Sequence, residues 1–365
     1  MKIYITGAAT TKFGELWSAS PRSLAREAVG NALKDALISE KNIQALFVGN
    51  MLSGMLGGQE HLGAFFAEEL GISAPAFKIE GACASGGLAL HNAVNSVLSG
   101  QYDTVVALGV EKMTDHKPED VATALMGAGS DEERAAGATF PGLYAILARA
   151  HMQKFGTTEE DMAAVAVKNH FHASLNPNAQ FHSPITVEQV MRSSRIADPL
   201  KLLDCSPISD GAAAVVVSRK KGIEILASTV ATDTLGLAQR KSLTELAATR
   251  EAGKKAFKIA GVSQKDIDVA EVHDCFTIAE ILAMEDLGFC KKGKFGTLKH
   301  LVVNPSGGLK GCGHPVGATG IKQVVEIVEQ LRGRAGARQV KNARVGLTHN
   351  VGGSGATAVV HILKR

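Results

Sequence analysis

The chain has 365 residues, 45% of them apolar and 5% aromatic, and its net charge of +3 has no block of basic residues behind it. That length supports a large core or two fused halves, and the scattered charge argues against a nucleic-acid binder. No apolar run reaches the roughly 18 residues of a membrane span. The start reads as a strand rather than a signal peptide, and five widely spaced cysteines argue against a disulfide framework, so a cytoplasmic protein with reduced thiols is expected.

Strand-like and helix-like runs alternate along the chain, the pattern of an α/β fold. Residues 45–49 read as a strand and 60–70 as a helix stopped by Gly71. The extended segment 77–80 runs into Gly81-Ala82-Cys83-Ala84-Ser85-Gly86-Gly87, a small-residue helix start that continues to Gly100. A helix start exposes unpaired N–H groups and the positive end of the dipole, both of which stabilise a thiolate, so Cys83 is the candidate nucleophile. Residues 103–109 form a buried strand. The stretch from about 112 to 198 has no later counterpart. It holds Gly127, Gly129, Gly137 and Gly142 and an apolar helix through Leu143, Ile146, Leu147 and Ala150, and reads as an inserted loop domain over the site. The chain then returns to a core strand at 212–218.

The first order recurs in the second half. A strand at 269–272 leads through His273-Asp274-Cys275-Phe276 into a helix stopped by Gly288. Gly313-His314-Pro315 opens another small-residue helix, where proline suits the first turn. Two strands, 343–348 and 356–363, close the chain around a glycine-rich turn. Two half-domains of one topology place Cys83 and His314 at equivalent helix starts related by a pseudo-twofold axis. Two spellings mislead. Gly353-Ser354-Gly355 matches a dinucleotide fingerprint but precedes a strand, not a helix. Cys312-Gly313-His314 lacks further ligands at zinc spacing, so no metal is expected.

Gly81 to Gly86 resembles the nucleophile loop of the thiolase superfamily. Asn304-Pro305-Ser306-Gly307-Gly308, followed by Gly313-His314-Pro315-Val316-Gly317-Ala318-Thr319-Gly320, resembles its histidine motif. The likeness runs over nearly the whole chain. Two departures, His273-Asp274-Cys275-Phe276 for the usual Asn-Glu-Ala-Phe and Asn350 for the C-terminal cysteine, are similar to the sterol-carrier-protein-type thiolases and their archaeal and bacterial relatives.

The resemblance implies a thiolase fold: two similar βαβαβαββ half-domains in a five-layered αβαβα core, at 1–111 with 199–220 and at 221–365, plus a loop domain at 112–198. It implies an acyl-CoA C-acyltransferase that makes or cleaves a 3-oxoacyl-CoA, acetoacetyl-CoA by default, through an acyl-Cys83 thioester. His314 would take the Cys83 proton and then, with His273, hold a thioester oxygen. Cys275 would serve as acid/base, and the N–H groups of Cys83 and Gly352 would form a second oxyanion hole. His349 and Asn350 are neighbours with open roles, and Cys205, Cys290 and Cys312 are read as structural. Coenzyme A thioesters are substrates and no cofactor is expected. The family also implies a homodimer or higher assembly and, in some relatives, an OB-fold, zinc-ribbon partner subunit. The rival readings are a ketoacyl synthase using Cys83, His273 and His314, and a non-catalytic scaffold.

Overall fold

The computed structural model describes residues 2–297 and 301–365. β1 (Tyr4–Thr10) precedes α1 (Pro21–Asp35), whose Ser20 cap accepts from Ser23 N and whose first position is Pro21. β2 (Leu46–Gly49), α2 (Ser53–Gly57) and α3 (Leu62–Leu70) follow, and α3 stops at Gly71 with φ 65°. β3 (Ala76–Ile79), α4 (Ser85–Leu98) and β4 (Thr104–Glu111) complete the first run.

Between β4 and β7 (Gly211–Ser218) lie α5 (Pro118–Leu125), α6 (Asp131–Ala135), α7 (Phe140–Phe155), α8 (Glu159–Ser174), α9 (Val187–Arg192) and the pair β5 (Arg195–Ala197) and β6 (Leu200–Lys201). The second half holds β8 (Ile223–Thr232), α10 (Ala247–Ala260), β9 (Val269–Glu271), α11 (Thr277–Asp286), β10 (Val302–Val303), α12 (Gly308–Cys312), α13 (Val316–Arg332), β11 (Val345–Gly352) and β12 (Thr357–Lys364).

Ten strands form a sheet in the order β10-β9-β11-β12-β8-β1-β7-β4-β2-β3. Read inward from either edge, the order is the same when β1, β2, β3, β4 and β7 are matched with β8, β9, β10, β11 and β12. The halves join at β1 and β8 through Tyr4–Glu224 and Ile5–Ile223. Both α4 and α13 pack against strands of both halves and against each other, while α1 covers β1 and β7 and α10 covers β8 and β12. The layers are therefore helix, sheet, helix, sheet, helix, as the resemblance implies. Strand alternation serves both sides: Val105, Ala107, Val215 and Val217 face the central helices, and Val106, Leu108, Ala214 and Val216 face α1.

The central helices touch backbone to backbone. A Cβ on Gly86 would lie 2.6 Å from Gly317 O, and one on Gly320 would lie 2.2 Å from Gly87 N. Glycine at these positions lets two helix starts from distant parts of the chain share one site.

Two expectations change. The buried face of α7 is Leu143, Tyr144, Ala145, Leu147, Ala148 and His151, and Ile146 is 48% exposed. β11 runs to Gly352, past the expected end at 348, so His349 and Asn350 lie inside a strand. Among the described residues no helix is long and apolar enough to cross a membrane.

Candidate active site

Between β3 and α4 the chain makes one tight 3-10 turn, Ala82–Ala84, that carries Cys83. Ala82 is held at φ 53°, a region alanine rarely adopts. Its N–H donates to Glu80 Oε1 at 2.6 Å, and Ser85 Oγ donates to its carbonyl at 2.6 Å while accepting from Gly81 N at 3.0 Å. The helix start was expected to favour a thiolate. Burial outweighs it: the Cys83 thiol is pushed up to about 12, with the N–H groups of Gly353 and Cys83 itself pulling the other way. Cys83 therefore rests as a neutral thiol. Gly352 lies against this turn, where a Cβ would meet Gly81 O at 2.3 Å, although it is the N–H of the next residue, Gly353, that acts on the sulfur.

His314 precedes α13. Burial, helped by Lys322, lowers its imidazole to about 3, so it too is neutral. Its tautomer follows from its neighbours. Thr319 Oγ donates to Pro315 O at 3.0 Å, which leaves that oxygen to accept from His314 Nδ1–H at 2.7 Å. Nε2 then holds a lone pair. The start of α13 is fixed from the other half by Glu111, which accepts from Gly317 N at 3.1 Å and from Asn50, Met51 and Leu52. Glu111 escaped the sequence reading; a carboxylate ending a buried strand was the available signal.

One ligand atom from each of Cys83, His273 and His314 lies within 4.8 Å of the others, and the two rings meet edge to face at 5.2 Å. The structure thus brings together three residues far apart in sequence. One thiol and two imidazoles form a donor set that suits a thiophilic cation. Asn350 bonds His273 Nδ1 at 3.2 Å and Cys83 O at 3.0 Å. His349 turns the other way and bonds Thr249 Oγ of α10 at 2.8 Å, because successive strand residues face opposite sides.

In the His273-Asp274-Cys275 turn, Asp274 accepts from Leu309 N at 2.6 Å and Lys310 N at 3.2 Å at the start of α12. Cys275 faces a cavity of about 190 Å³ that it shares with Cys83, His314, Met113, Leu125 and Tyr144. Burial holds the Cys275 thiol well above its usual range, so it too rests protonated. The Tyr144 hydroxyl lies beside Cys275 and donates to Gly353 O at 3.1 Å. Cys205, read from the sequence as structural, also lines the cavity, and Tyr144 did not stand out in the sequence. The spacing of Leu143 and Leu147 with Tyr144 beside them was the signal for that residue.

The thiolase N-terminal domain family matches residues 3–221, and the thiolase C-terminal domain-like family matches residues 229–365. The chain belongs to the thiolase family. This thiolase is 48% identical to the acetyl-CoA acetyltransferase of Methanothermobacter thermautotrophicus, over 100% of its own length and 99% of the relative's. It is 34% identical to human sterol carrier protein 2, over 98% of its own length and 71% of that protein's. Its fold matches a solved Ltp2–ChsH2(DUF35) aldolase with a TM-score of 0.83 at 24% identity, covering 99% of this chain and 97% of that one.

Proposed function

We propose that this thiolase interconverts acetoacetyl-CoA and two acetyl-CoA by ping-pong transfer through an acetyl thioester on Cys83. The observation that carries the reading is the buried cluster of Cys83, His314 and His273, one ligand atom of each within 4.8 Å of the others, with Cys83 and His314 lining a cavity that also holds a second thiol, Cys275. The 48% identity to an acetyl-CoA acetyltransferase supports the choice of acyl group.

In the cleavage direction His314 Nε2 takes the Cys83 proton as sulfur attacks the ketone carbon. The tetrahedral oxyanion is met by the two N–H groups beside the Cys83 sulfur, those of Cys83 itself and of Gly353 in place of the expected Gly352. Its collapse breaks the carbon–carbon bond and leaves acetyl-Cys83 and an acetyl-CoA enolate, whose oxygen is held by the two histidines. Cys275 protonates the enolate carbon. It recovers that proton from incoming CoA, whose sulfur attacks the thioester, and the Cys83 thiolate leaves and takes back the His314 proton.

A homodimer or larger assembly, and a partner subunit that helps present CoA, form part of the reading. The partner is supported by the branch-specific His273-Asp274-Cys275-Phe276 spelling. The test is assay with acetoacetyl-CoA and CoA, alone and with an OB-fold, zinc-ribbon subunit. Parallel double-reciprocal lines and two acetyl-CoA per turnover are expected, with a lower KM for CoA when the subunit is present. Acetyl transfer that requires decarboxylation of a malonyl donor would contradict it in favour of a ketoacyl synthase.

A further inference from the structure

Asn350 Oδ1 accepts from Gly87 N at 3.1 Å, and a backbone N–H can only donate, so the orientation of the amide is fixed. Its Nδ2 therefore carries the two hydrogens. One goes to the carbonyl of Cys83 at 3.0 Å, a group that can only accept. The other faces His273 Nδ1 at 3.2 Å. A donor against Nδ1 requires a lone pair there, which puts the proton of the neutral ring on Nε2. That Nε2 is buried and, among the described residues, has no hydrogen-bond partner. An orphaned buried donor is destabilising unless a ligand meets it.

We infer that Asn350 is a positioning residue that locks His273 in the Nε2–H tautomer, so that the two site histidines enter the reaction in opposite states. His314, held by Thr319, presents a lone pair and accepts the Cys83 proton. His273, held by Asn350, presents N–H and donates to the thioester oxygen as charge develops on it. The same lock withholds a metal ligand. Cys83 and the two rings are close enough to bind a thiophilic divalent cation, but His273 can join only through a bare Nε2.

In Asn350→Asp a carboxylate oxygen replaces the amide donor and draws the proton to Nδ1, the arrangement by which carboxylates prepare histidine for metal. This variant should lose kcat by roughly 100-fold, the worth of one oxyanion donor, with little change in KM. Asn350→Ala leaves both tautomers accessible and should lose less, although alanine is the poorer match in shape. A purely structural role predicts the reverse order.

The direct test is long-range proton–nitrogen correlation on protein labelled with 15N-histidine, without substrate, with His273 assigned by its loss in His273→Gln. The wild type should show His273 protonated on Nε2 and bare on Nδ1. Asn350→Asp should show the opposite and should gain the near-ultraviolet thiolate-to-cobalt band on titration with Co²⁺, a band weak or missing in wild type. His273 protonated on Nδ1 in the wild type would overturn the inference even if the variant does not fold, and so would a folded Asn350→Asp with an unchanged tautomer. The use of the tautomer rests on the acyl-transfer reading, but its measurement does not. The expected tautomer in a protein that transfers no acetyl group would sink the function and leave the role of Asn350 standing.

Discussion

The turn before α4 and the turn before α13 occupy equivalent places in the two halves, each opening a central helix after an edge strand. One carries a thiol and the other an imidazole. Both backbones leave ordinary territory just before the reactive residue, at Ala82 with φ 53° and at Gly313 with φ 113°. Burial acts on both side chains but in opposite directions along the pH scale, raising Cys83 to about 12 and lowering His314 to about 3. The consequence is a neutral pair rather than a resting thiolate–imidazolium pair. On the proposed reading, one duplicated geometry supplies a donor and an acceptor, and the charge that the chemistry needs is created when substrate arrives.

The largest expected effect comes from removing either member. Cys83→Ala should end turnover and leave nothing for the acyl group to attach to, as read by steady-state assay. His314→Ala should keep the thiol but lower the acylation rate by about 10²–10⁴-fold, the range for a general base, as read by single-turnover quench. Equal loss of acylation and deacylation in that variant would show that the two turns are not specialised as described.

Cys275→Ala lies outside the pair and should separate the half-reactions. Acylation should persist in part, and the second half-reaction should slow by about 100-fold, so acetyl-enzyme accumulates. Wild-type turnover would reduce Cys275 to packing.

Gly320→Ala addresses the contact that unites the two turns. Its Cβ would lie 2.2 Å from Gly87 N and 2.3 Å from Asn350 Oδ1. Forcing the helices apart should cost about 1–3 kcal/mol in urea unfolding, the usual range for overpacking, and should also disturb Asn350.

The smallest effect concerns pH. Burial holds His314, His349 and His361 at about 3, against an ordinary value of 6.5. Between those values the unfolded chain binds protons that the folded chain refuses, so their contribution to stability falls as pH drops from 6.5 toward 3. Glu111, raised to about 7 by burial, acts with the opposite sign between 4.5 and 7. Comparing variants cancels it. Among the described residues neither ring nitrogen of His361 has a partner, so His361→Phe should weaken the acid decline in urea midpoint relative to wild type. Parallel profiles would contradict this.

Much of the site was legible because motif residues mark it: Cys83, His273, Cys275 and His314 stand in small-residue turns whose spelling is distinctive. The doubled topology was legible because the order of strands and helices repeats. What escaped depends on side-chain direction. Ending β11 at 348 hid the alternation that sends Asn350 toward Cys83 and His349 toward Thr249. Taking Ile146 and Ala150 into the apolar stripe of α7 turned that helix away from Tyr144, which faces Cys275. The pull of the helix start on Cys83 was overestimated because the helix start is visible in sequence and the depth of burial, which outweighs it, is not.

The account turns on an acyl group carried by Cys83. Wild-type protein should be mixed with acetoacetyl-CoA, quenched in acid, and measured by intact mass and peptide mapping. A single acetyl adduct on the peptide containing Cys83, discharged by free CoA, is the predicted result. Cleavage of acetoacetyl-CoA with no adduct on Cys83, or an adduct that CoA cannot discharge, would contradict it.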